Sequence, residues 1–67
     1  MTGDDELLRE VVGDLHKGET VERAVGRIVR RRGGTYEDYQ RIVDTVRDLA
    51  ARERLTALQA ARKLAQA

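Results

Sequence analysis

The stretch TYEDYQRIVDTVRDLAARERLTALQAARKL, residues 35–64, decides how many helices this chain forms and where they turn. Tyr36, Tyr39, Ile42, Val43, Val46, Leu49 and Ala50 recur at steps of three and four, which gathers them on one face of a helix. A straight continuation would carry Leu55 about 180° from the centre of that face. A fresh start at Thr56 instead makes Leu55 a hydrophobic staple against Ala60 and gives the Thr56 hydroxyl a capping partner in Gln59. The spacing therefore predicts a helix over 36–53, a bend or break at Glu53 to Leu55, and a further helix over 56–66 with Leu58, Ala61, Leu64 and Ala65 on its inner side. The competing reading is one unbroken helix from 36 to 66, because alanine and arginine are good helix formers.

The same signals recur towards the N-terminus. Thr2, Thr20 and Thr35 are candidate N-caps, with Asp5 and Asp38 three residues after the first and the last. Gly18 and the pair Gly33 and Gly34 stand where left-handed C-terminal caps are wanted. Between these marks lies a helix over 20–32, whose stripe of Val21, Ala24, Val25, Ile28 and Val29 opposes Arg23, Arg27 and Arg30, with Arg31 and Arg32 in its last turn. Before it lies a helix over 4–16. It opens on Asp4, Asp5 and Glu6 and closes on His16 and Lys17, as the helix dipole favours, and Leu7, Leu8, Val11, Val12 and Leu15 share one face. No strand-like alternation appears. The expected fold is all-α: a single helical domain over 1–67, built as a small antiparallel bundle of three to four helices over 4–16, 20–32, 36–53 and 56–66.

A chain of 67 residues buries only about 60% of the surface its unfolded form exposes. Cysteine, proline, tryptophan, phenylalanine, serine and asparagine are all missing. Disulfide frameworks and thiolate chemistry are thereby excluded, and the lone His16 does not make a transition-metal site. Leaving out alanine and Met1, eighteen sizeable apolar side chains remain: seven Leu, seven Val, two Ile and two Tyr. So thin a core points to further burial through self-association or a partner. Tyr36, Tyr39, Ile42, Val46 and Leu49 form the expected interaction surface, the tyrosines as its anchors.

Charge is near balance, +1 in total, yet segmented. Residues 1–22 sum to −5, 23–33 to +5, 34–53 to −2 and 54–67 to +3. Arg23, Arg27, Arg30, Arg31 and Arg32 present forked donors suited to phosphates or to an acidic partner. Two other readings stand beside this one. Arginine also belongs on a solvated face near a helix C-terminus, and Asp4, Asp5, Glu6, Glu10 and Asp14 offer a matching acidic supply within one chain or across a dimer.

Residues 5–32 have the order of a helix-turn-helix, but the polar turn His16 to Glu19 lacks a buried anchor. In Asp44–Gln66 the alanines are better placed, yet the second helix offers only Arg62 and Lys63. Asp4 with Asp5, and Glu37 with Asp38, are helix neighbours pointing about 100° apart, so neither pair converges on a proton or a metal. Gly33 and Gly34 lack the sequel of a phosphate loop.

The function expected is a non-catalytic helical protein–protein interaction or self-assembly module, acting as a homo-oligomer such as a dimer or with a larger protein. The alternative is a small DNA-binding or nucleic-acid-associated regulator, for which five neutralised phosphates give a log–log salt slope of about −4.5. No enzyme activity, metal, cofactor, small-molecule substrate or membrane partner is expected. The acidic start and the lack of an apolar run of about 18 residues point to a cytoplasmic setting.

Overall fold

In the computed structural model, which describes residues 3–66, the chain forms four helices: α1 (Gly3–Gly13), α2 (Val21–Arg31), α3 (Tyr36–Glu53) and α4 (Ala57–Gln66). Their ends have local causes. The Thr20 hydroxyl accepts from the Arg23 N–H at 3.2 Å and opens α2. At the close of α2, the Gly33 N–H donates to the Arg30 carbonyl and the Gly34 N–H to the Val29 carbonyl, with Gly33 at φ 75°. These paired return bonds place a left-handed residue just past the helix, where glycine avoids a cost of roughly 1–2 kcal/mol. Gly34 is needed for space: a Cβ there would stand 2.9 Å from Val29 Cγ1 and 3.3 Å from the Val29 carbonyl oxygen.

Reciprocal capping boxes start α3 and α4. Thr35 Oγ1 accepts from the Asp38 N–H at 3.2 Å while Asp38 Oδ2 accepts from the Thr35 N–H at 2.9 Å. Thr56 and Gln59 repeat the exchange at 3.1 and 2.9 Å. Between the two helices Arg54 turns left-handed, at φ 57° and ψ 48°, and the Leu55 N–H reaches back to the Ala50 carbonyl at 2.8 Å. The break at Glu53 to Leu55 is therefore real, and the unbroken helix over 36–66 is not formed. Leu55 is carried back onto the core. Thr2, the remaining candidate cap, lies outside the described residues.

One boundary differs from expectation. The first helix ends at Gly13, three residues short of His16. Beyond it the Asp14 carbonyl and carboxylate accept from Arg27, and the His16 N–H donates to Glu19 Oε1 at 3.0 Å. A continued helix would need that carbonyl and that N–H for its own ladder. His16 and Lys17 accordingly sit in a loop rather than at a helix C-terminus.

The helices pack as a ring, α1 on α2, α2 on α3, α3 on α4, with α4 closing onto α1. Fifteen hydrophobic side chains are buried among the described residues, and ten of them are valine or alanine. Small residues let backbones approach closely. Ala60 and Ala61 are fully buried, and Arg9 Nε donates to the Ala65 carbonyl at 3.1 Å across the α1–α4 seam. No helix among the described residues is long and apolar enough to cross a membrane.

Two substitutions test the helix ends by urea unfolding at pH 7. Arg54→Gly relieves the left-handed strain, less the extra entropy of glycine, and is expected to stabilise the fold by about 0.5–1 kcal/mol. Gly34→Ala forces a methyl against Val29 and is expected to cost about 1–3 kcal/mol. Unchanged midpoints in both would contradict the geometry of these turns.

Candidate interaction face

The five arginines of the α2 segment divide by the direction each takes from the helix axis. Arg27 points towards α1. Its Nε and Nη2 grip the two oxygens of Glu19 at 3.0 and 2.8 Å, while Nη1 and Nη2 donate to the Asp14 carboxylate and carbonyl, each at 2.9 Å. Four hydrogen bonds from one planar guanidinium close the α1–α2 loop. Arg31 pairs with Glu10 and, at 3.4 Å, with Asp14; Arg32 Nε donates to Glu10 Oε1 at 2.8 Å. Three of the five arginines are thus met by the chain's own acids, as the charge segmentation suggests.

These pairs set the protonation of the acids. Arg27, helped by the His16 N–H, holds Glu19 down at about 2 from an ordinary 4.5. Asp14 is lowered by its bonds to Arg27, and Glu10 by Arg31 and Arg32. Conversely, Glu19 and Asp14 raise Arg27 above its ordinary value.

Arg23 and Arg30 take the other direction. Both are exposed, and among the described residues neither side chain makes an ion pair or a hydrogen bond. They border an open cleft of about 890 Å³ whose walls also include Glu22, Gly26, Tyr36 and Tyr39, and which Arg27 and Arg31 reach from the α1 side. Gly26 faces the second tyrosine, and a Cβ there would lie in ordinary contact, 3.4 Å from Tyr39 Cε1. The two tyrosine rings stand 5.7 Å apart at 35°. Along the outer rim the Tyr36 hydroxyl donates to Gln40 Oε1 at 3.0 Å, and Gln40 Nε2 donates to Asp44 Oδ1 at 3.1 Å.

The surface expected from Tyr36, Tyr39, Ile42, Val46 and Leu49 is divided by the fold. Ile42, Val46 and Leu49 lie in the chain's own core at 2, 2 and 6% exposure, Tyr39 is half-buried, and Tyr36 is 73% exposed. Gly26 in the cleft wall and Gln40, which bonds the Tyr36 hydroxyl, had not been singled out. A glycine inside an otherwise regular helical stripe was the available signal for the first; nothing marked the second. Among the described residues no three of His, Cys, Asp and Glu gather as a metal ion would need.

Because Glu19 is depressed, its stabilising effect is complete above the unfolded value of 4.5 and disappears as pH falls from there towards 2, and the lowered Asp14 and Glu10 add to the same decline. Thermal unfolding followed by circular dichroism between pH 7 and pH 2 is expected to show that decline. In Arg27→Gln the melting temperature at pH 7 is lower and the decline across the same window shallower. A variant that tracks the wild type at every pH would show that this clamp carries no stability.

No known family, curated protein or solved structure matches this chain, so its function is read from the face itself.

Proposed function

We propose that the chain is a non-catalytic helical protein–protein interaction or self-assembly module whose contact face is the outer side of α2 and α3. One observation carries the reading: Tyr36 stands 73% exposed beside a cleft bordered by Arg23 and Arg30, the two arginines of α2 that no described acid of the chain engages. Tyrosine and arginine are the residues that anchor interfaces, joining a rigid apolar body or a planar fork to directional hydrogen bonds. The core behind this face is built largely of valine and alanine, so covering the cleft adds burial that the small domain lacks.

Duplex DNA is the second reading, supported by the same two free arginines. Two neutralised phosphates in place of five lower the expected salt slope to about −1.8, a weak grip for a nucleic-acid regulator.

Light scattering from low to high micromolar concentration, with and without duplex DNA, separates these readings. Mass is expected to rise above the 7.6 kDa of one chain as concentration increases, with no change on adding DNA at physiological salt. Tyr36→Ala is expected to weaken the association at least about tenfold while leaving the helical signal intact, because an exposed ring adds little to the fold. A chain that stays at 7.6 kDa alone and gains mass only with DNA would move the function to the second reading.

A further inference from the structure

The self-assembly reading leaves the partner's geometry open, and the following rests on that reading and deepens it. Arg23 and Arg30 are seven residues apart, so they lie about 10.5 Å apart along one line of α2. Glu37 and Asp44 have the same spacing on α3. All four are exposed, and among the described residues none of them enters an ion pair; Asp44 accepts only from Gln40.

Their heights along the bundle also match. Glu22 of α2 pairs with Arg47 of α3, and Gly26 faces the Tyr39 ring, so the two helices run antiparallel with level residues whose numbers add to 69 and 65. Arg23 with Asp44, and Arg30 with Glu37, each add to 67. A positive pair on α2, bordering the cleft beside Tyr36, therefore stands level with a negative pair on α3. Within one chain the two stripes sit side by side on the outer faces of adjacent helices.

A two-fold axis laid along the cleft, parallel to the helices, places α2 of one copy over α3 of the other without changing height. We infer that the chain forms a two-fold dimer through the outer faces of α2 and α3, with Arg23 and Arg30 of each copy set against Asp44 and Glu37 of the other. The contact is self-complementary, as a closed two-fold interface requires, and holds four ion pairs around the exposed tyrosines. Exposed pairs contribute little affinity each but disfavour every register that sets like charges together, so they fix alignment while Tyr36, Tyr39 and the cleft walls supply burial.

The test uses two double variants of the full chain, Arg23→Glu with Arg30→Glu, and Glu37→Arg with Asp44→Arg. Each alone sets like charges across the axis. By light scattering each is expected at 7.6 kDa at concentrations where the wild type shows twice that mass. Mixed one to one they restore all four pairs, and the mass is expected to double again. If charge reversal reduces helix content, Arg23→Gln with Arg30→Gln reads the same contact as a roughly tenfold weaker dimer. Double variants that dimerise like the wild type would overturn this face and leave self-assembly standing through another. Monomeric variants that stay monomeric when mixed would overturn the pairing. A wild-type chain that remains at 7.6 kDa at high micromolar concentration would overturn the dimer and the self-assembly reading together.

Discussion

The guanidinium of Arg27 is the contact on which the first half of the molecule depends. By holding Asp14 and Glu19 together it stops α1 at Gly13, shapes the loop that follows, and sets where α2 begins beside it. Once α1 lies against α2, Glu10 comes within reach of Arg31 and Arg32. The acidic first third of the sequence and the basic run after it thus neutralise each other laterally. Charges kept apart along the chain are brought together in space, so that a total set by composition becomes a local neutralisation. What remains unmatched on α2 is the outer pair, Arg23 and Arg30.

Small side chains impose the second constraint. A core made largely of valine and alanine fills space only if the helices approach closely, and close approach leaves little tolerance at the turns that aim them. This accounts for the number of specific devices at helix ends: two reciprocal capping boxes, a paired return at Gly33 and Gly34, and a left-handed Arg54. In a domain with large aromatic residues inside, a slightly misdirected helix still buries much of its surface. Here it would leave a void.

Local signals were the legible ones. The break after Glu53 could be read because threonine, glutamine and a displaced leucine all lie within a few residues of it, as could the Thr20 and Thr35 starts. The end of α1 could not, since it is set by Arg27 from thirteen residues beyond Asp14. What covers the α3 stripe was half legible for a related reason. A stripe of Tyr36, Tyr39, Ile42, Val46 and Leu49 shows that a helix face is covered without showing by what, and the chain's own helices cover its lower part. Among the arginines, Arg27 differs from Arg23 and Arg30 by only about 40–60° around the helix. That small angle separates an internal clamp from a free surface charge, and it acquires meaning only once α1 has been placed.

The closing of the ring by α4 on α1 bears on how the chain folds as it is made. α1 needs cover on one flank from α4, with its buried Ala60, Ala61 and Ala65, and α4 leaves the ribosome after the other three helices. Until they emerge, the apolar stripe of Leu7, Leu8 and Val11 has a neighbour on only one side, and the clamp at Arg27 has ordered a corner without a core behind it. Acquisition of structure is consequently a late, concerted event in which the most distant segments of the chain must meet before the small interior becomes dry.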